Sequence, residues 1–249
     1  MTVRVERDGT VVRVTLARPE RRNALDPELI AGLTEAFLAA GEAHAVVLAG
    51  DGPSFCAGAD VDWMRSSIDL SYEENVADAL RLRALLDAIH GCPVPVVARV
   101  HGHALGGGAG LVACADVAIA APGTLFGFTE VKLGIVPAVI SPFVLARVGA
   151  AARRWFVTGE RFDAQQALRI GLVDEVPDDL DGGVERVVEE LLAAGPEATR
   201  VAKTLAREPR GPEETARMIA ERRTSAEGQE GLRAFLERRD PSWRSATPK

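Results

Sequence analysis

The 249-residue chain is 47% hydrophobic, and a domain of this size buries roughly three quarters of its extended-chain surface, so disorder is excluded. A formal charge of −7, from 29 basic and 36 acidic residues, argues against nucleic acid as a partner, because phosphate backbones call for a basic footprint. Three scattered cysteines, Cys56, Cys92 and Cys114, form no CxxC pair, which argues against a zinc site or disulfide framework and suits a reducing cytoplasm.

The first ten residues are charged and lack an apolar run, so no secretory signal is expected there. Val3 and Val5, then Val12, Val14 and Leu16, alternate with polar residues across Asp8-Gly9, which predicts an opening hairpin. Asp26-Pro27-Glu28 supplies an N-cap, a proline at the first helical position and an acid at the positive helix end. A helix carrying Leu29, Leu33 and Phe37 on one face and ending near Gly41 follows from it. Residues 45–49 read as a buried strand, Leu82, Leu85, Leu86 and Ile89 mark a long helix, and Pro93 to Val97 begins another strand.

Further strands are expected at 117–120 and 172–176, with a helix from Asp163 to Ile170 stopped by Gly171. The most apolar run, Leu111 to Ala121, is short and broken by Asp116, so no membrane span is expected. Beyond Asp181 the chain is helix-compatible to Asp240, punctuated by Gly195-Pro196 and Gly211-Pro212. Residues 200–245 carry a charge of +3 against −10 for the rest, as suits either a docking or oligomerising appendage or an ordinary solvated helix set.

Three stretches could carry chemistry. In Phe55-Cys56-Ala57-Gly58-Ala59-Asp60 the small residues allow a ligand close to free backbone N–H groups, although a tight loop before a helix would look the same. Cys56 reads as a small buried thiol rather than a nucleophile. His101 to Gly110 places a strand, a glycine cluster and a helix start in sequence, an arrangement that points amides and the positive helix end at negative charge. Gly108-x-Gly110-x-x-Ala113 formally matches a dinucleotide fingerprint, which makes a Rossmann enzyme the rival from another class. Its context is poor, because the strand at 117–120 runs into Ala121-Pro122 rather than an acid. His101 and His103 alternate along a strand, and each reads as a hydrogen-bonded structural residue. In the third stretch, 126–137, Glu130 sits among apolar and aromatic residues, which would raise its pKa; an ion pair with Lys132 or an arginine is the alternative.

In this order and spacing, Arg22-Asn23-Ala24-Leu25, residues 56–60, residues 102–108 and residues 126–137 resemble the crotonase (enoyl-CoA hydratase/isomerase) superfamily from about Arg4 through the C-terminal helices. The resemblance implies an α/β fold, a spiral of repeated ββα units over 1–190, with a helical C-terminal segment over 191–249 used for trimerisation or a dimer of trimers. It implies an acyl-CoA thioester as substrate, with coenzyme A belonging to the substrate and no separate cofactor or metal. The amides of Ala59 and Gly107 correspond to the family's oxyanion hole. Arg22, Ala24, Ala57, Asp60 and Val61 line up with the nucleotide-binding region, Arg22 as a phosphate partner, while Gly106, Pro137 and Ala138 are expected at the substrate. Glu130 matches one catalytic glutamate, and the second acid position falls on the side-chain-free Gly110.

That departure leaves three readings. A hydratase adding water across the 2,3 double bond is favoured by Thr129 to Pro142, which look like the methylglutaconyl-CoA hydratase-like branch. A Δ3,Δ2-enoyl-CoA isomerase would need only Glu130 as proton shuttle. A non-catalytic acyl-CoA binder is the third. Segments 63–72 and 136–143 are expected to shape the acyl pocket, with Trp63 and Met64 as lid or core, and Phe235 and Trp243 to close it in the same or a neighbouring subunit.

Overall fold

The computed structural model describes residues 2–245. Strands β1 (Val3–Asp8) and β2 (Val11–Leu16) form the expected antiparallel hairpin; β3 (Ala45–Gly50), β4 (Val96–Val100) and β6 (Val117–Ala120) add in parallel, giving the order β1-β2-β3-β4-β6. A second sheet joins β5 (His103–Leu105) in parallel to β7 (Leu125–Gly127), which pairs antiparallel with β8 (Arg161–Asp163).

Alternation along the strands explains why the large sheet is covered on both faces. Val12, Val14, Val46, Leu48, Val96 and Ala98 turn toward the main core, where helices α1 (Pro27–Leu38), α3 (Tyr72–His90) and α4 (Gly107–Cys114) contribute Leu29, Leu33, Leu85, Leu86 and Leu111. The intervening Val11, Val47, Val97 and Ile119 face the other way and are covered by Leu180, Val184 and Val188 of α8 (Leu180–Ala193). Each such side chain fully buried contributes about 1.5–3 kcal/mol of transfer free energy.

Local signals hold the helices where the sequence puts them. Asp26 accepts from Leu29 N at 2.8 Å, Ser71 and Glu74 form a reciprocal capping box on α3, and Asp163 caps α7 (Ala164–Arg169). The expected strand at 172–176 is not one. Asp174 places its carboxylate on Ala118 N at 2.7 Å, and only an isolated bridge, Ile119 to Glu175, continues the sheet before Pro177. A carboxylate thus substitutes for a ladder carbonyl and ends the pairing.

Helices α2 (Val61–Ser66), α5 (Ser141–Val148) and α6 (Ala152–Thr158) complete the body; α9 (Pro196–Arg207), α10 (Pro212–Thr224), α11 (Ala226–Glu237) and α12 (Ser242–Ser245) follow α8. Helix α8 runs across the expected boundary between residues 190 and 191, and the break falls at Ala194-Gly195. Residues 246–249 of the expected C-terminal segment lie outside the described residues. Helix α9 is tied back by charge: Asp116 accepts from Val96 N and pairs with Lys203 at 2.7 Å and Arg207 at 2.6 Å.

Candidate active site

Four extended segments lie side by side and bring the chemistry-bearing loops together. Leu25 bridges Ala59 in parallel, with Leu25 N donating to Gly58 O and Asp60 N to Leu25 O; Cys56 bridges Ala104 in β5; β5 pairs with β7. The chain leaves the two parallel strands β5 and β7 at the same end, so Gly106 and Gly107 emerge beside Phe128 to Glu130. Ends of parallel strands are where backbone groups and side chains from separate loops converge.

The pairing leaves two amides over. Among the described residues neither Ala59 N nor Gly107 N donates to a protein acceptor, and both residues line one cavity of about 330 Å³. Gly107 is the first residue of the eight-residue α4, so its N–H is one of the donors a helix start cannot satisfy internally. Gly106 before it has φ of 50° and ψ of −119°, a conformation open essentially to glycine alone, and donates to Gly127 O at 2.8 Å. A Cβ on Gly106 would lie 3.1 Å from Glu130 Oε1, so the missing side chain makes room for the carboxylate.

Glu130 begins a short 3-10 turn, Glu130–Leu133, closed by Gly134 in the left-handed region. Its Oε2 is buried without a hydrogen-bond partner, and no ion pair with Lys132 or an arginine forms among the described residues. Burial raises its carboxyl pKa above the ordinary value, partly offset by its own backbone N–H. A carboxyl so placed can exchange protons near neutrality.

Of the residues expected at the site, Ala57, Ala59, Gly106, Gly107, Glu130, Pro137 and Ala138 share this cavity. Arg22, Ala24, Asp60 and Val61 do not line it. Arg22 is exposed in the left-handed region, its carbonyl accepting from Ala57 N, and Ala24 is buried with its carbonyl accepting from Arg18 at 2.8 Å. The Asp60 side chain is occupied elsewhere: it caps α2 through Asp62 N at 2.8 Å and takes Arg18 at 3.2 Å. Burial would raise its pKa, but these donors prevail and the value is lowered.

Gly110 is no open vacancy: a Cβ there would lie 2.4 Å from Ile140 Cγ2 and 3.6 Å from Leu86 Cδ2. The dinucleotide reading ends on the same ground, since a Cβ at Gly108 would lie 2.5 Å from Cys56 O and no ligand can approach there. His101 and His103 are structural, His101 on Gly52 O at 2.8 Å and His103 on Ser54 Oγ at 3.0 Å. Trp243 donates to Ala193 O and packs on Gly231, and Phe235 is exposed, so neither closes the cavity within the chain. Trp63 and Met64 do line it.

Sequence reasoning missed the face of α3 formed by Asn75, Asp78, Ala79 and Leu82, all of which line the cavity. Their spacing of three, four and seven is one helical stripe, and it continues the core stripe Leu82, Leu85, Leu86 and Ile89 toward the helix start.

A sequence model described as enoyl-CoA hydratase/isomerase matches residues 6–246. The chain belongs to that family. Relatives include an enoyl-CoA hydratase of Alternaria alternata, 33% identical over 97% of this chain and 84% of that protein. Another is the cyclohexa-1,5-dienecarbonyl-CoA hydratase of Thauera aromatica, 32% identical over 98% and 96%. Among solved structures, an enoyl-CoA hydratase from Shewanella pealeana is 37% identical, covers 98% of this chain and 96% of its own, and superposes with a TM-score of 0.91. The crotonase fold is thereby established, whereas these names do not single out the methylglutaconyl-CoA branch.

Proposed function

We propose that this crotonase-family enzyme hydrates the 2,3 double bond of an enoyl-CoA thioester. The observation that carries the reading is the convergence of two unpartnered amides, Ala59 and Gly107, with the half-buried Glu130, whose Oε2 is buried without a partner, in one cavity. Held between the amides, the thioester oxygen gains charge as electrons leave the double bond, and Cβ becomes electrophilic. Glu130 takes a proton from water while the oxygen bonds to Cβ, then gives that proton to Cα. One carboxylate therefore completes the addition, with one water consumed and none of its atoms left over. Coenzyme A is part of the substrate, and the step calls for no redox partner or metal.

A second reading, Δ3,Δ2-enoyl-CoA isomerisation, is favoured by Ile140, which fills with hydrocarbon the place where a second acid would stand. The same carboxylate would then take a proton from C2 and return it at C4. Giving the protein 2-butenoyl-CoA and, separately, a 3-enoyl-CoA distinguishes them by product mass: gain of one water from the former supports hydration, and conversion of the latter at constant mass supports isomerisation. Assembly as a trimer or stacked trimers and a cytoplasmic location belong to the same proposal. Among the described residues no helix is long and apolar enough to cross a membrane.

A further inference from the structure

The cavity lining includes two carboxylates, Glu130 and Asp78, and among the described residues no Lys, Arg or His. Phosphates would need cations, so this space suits the thioester and acyl end of the substrate rather than its nucleotide. Leu82 fixes where Asp78 stands: its Cδ2 would lie 4.0 Å from a Cβ on Gly107, and Asp78 is one helical turn nearer the start of α3 on the same face.

Asp78 lies half-buried in the lining, with one of its oxygens without a protein donor among the described residues. Its side chain is 14% exposed, and its only partner among the described residues is Arg81, which reaches Oδ1 at 3.1 Å from a side chain that is 62% exposed and does not line the cavity. The remaining oxygen has no protein donor among the described residues. Leu25, Leu82, Val136, Val139 and Ile140 supply apolar wall, and Ser67, Asn75 and Thr129 are the uncharged polar side chains in the lining.

We propose that this cavity selects thioesters of uncharged acyl groups and rejects those whose chain ends in a carboxylate, with Asp78 as the residue that enforces the choice. The inference rests on the acyl-CoA reading and departs from what the methylglutaconyl-CoA resemblance implies, since that acyl group carries a terminal carboxylate. A second anion would enter a space lined by two acids and by no cation among the described residues, Arg81 reaching Asp78 from outside the lining, and like charges in partly dehydrated surroundings repel strongly.

Calorimetric titration of the full chain with glutaryl-CoA and with 5-methylhexanoyl-CoA tests it, because the second ligand has an isopropyl group where the first has its carboxylate and neither can be hydrated. Glutaryl-CoA should bind more weakly by at least about tenfold, a gap that like-charge contact readily supplies. Asp78→Asn should narrow that gap several-fold, and Arg81→Met, which frees the carboxylate, should widen it. Equal or tighter binding of glutaryl-CoA, or a gap unchanged by Asp78→Asn, overturns the selection by charge while leaving hydration of 2-butenoyl-CoA standing. Failure of both thioesters to bind removes the acyl-CoA reading itself.

Discussion

Ile140 occupies the space that a side chain at position 110 would need, its Cγ2 standing 2.4 Å from where a Cβ on Gly110 would fall. Both residues are buried, so the two positions are sterically coupled. Gly110→Glu alone should therefore lower the melting temperature and leave hydration no faster, overpacking of this kind costing about 1–3 kcal/mol. Pairing it with Ile140→Ala should recover stability and give the fairer test of whether a second acid speeds hydration. Thermal denaturation and kcat of the single and double variants decide it; a single variant as stable as the parent would show that the coupling does not exist.

How much of this was legible in the sequence follows from what each signal depends on. Caps and turns are local, so Asp26-Pro27, Asp163 and Gly171 mark their helices correctly. The segment 172–176 carries strand composition, but Asp174 spends its carboxylate on Ala118 N, a partner 56 residues away. Glu130 stands out in the sequence by its apolar and aromatic neighbours, whereas the pairing of Ala59 with Gly107 comes from the resemblance, since small residues and glycines alone would equally mark a tight loop. Ile140 against Gly110 arises from packing between segments distant in the chain, and nothing local announces it; Asp78 lies on the stripe that Leu82, Leu85 and Leu86 continue, but spacing alone does not say that the stripe's early part faces a cavity rather than the core. Asp60 comes to the nucleotide-binding region only through the resemblance, and its sequence neighbours do not announce that its carboxylate caps α2 and pairs with Arg18.

The three cysteines should be inert in the folded enzyme. All are buried and unpaired, and burial pushes the Cys56 thiol up to about 12 and raises those of Cys92 and Cys114. Thiolate is the reactive form, so a thiol reagent at pH 8 should label no cysteine rapidly in the native protein and all three in denaturant. A fast-reacting thiol under native conditions would contradict this placement and reopen Cys56 as a chemical participant.

Asp116 holds α9 to the body, and its loss should cost more than that of either cation. Its carboxylate faces Lys203, whose side chain is only 8% exposed, together with Arg207 and Val96 N. Burial lowers the Lys203 pKa, while Asp116 works in the opposite direction. Asp116→Ala would strand two partly buried cations and should destabilise by about 3 kcal/mol, as breaking such a pair from one side does. Lys203→Met, which replaces the ammonium with hydrocarbon of similar reach, should be milder. Denaturant titrations of the two variants give the comparison, and Asp116→Ala within error of the parent would mean the network contributes no net stability.

Glu130 ties activity and stability to pH in opposite directions. Hydration needs its carboxylate, so kcat/KM should fall on the acid side with a midpoint above the ordinary glutamate value, because burial raises the pKa. Glu130→Gln should lower turnover by roughly 10²–10⁴-fold, the range general acid–base groups contribute, with acyl-CoA binding nearly unchanged. The stability sign is the reverse. Between the unfolded and the higher folded pKa the native state binds more protons than the unfolded one, so unfolding free energy declines as pH rises through that window and stays reduced above it. Glutamine carries no charge to bury. Glu130→Gln should then be more stable than the parent at neutral pH, with the advantage shrinking as pH drops through the raised folded pKa and gone below the unfolded-state pKa. Melting curves from pH 4 to 8 for both proteins read this directly, and an advantage that grows toward acid would show that Glu130 is stabilised, not penalised, as a carboxylate in the fold.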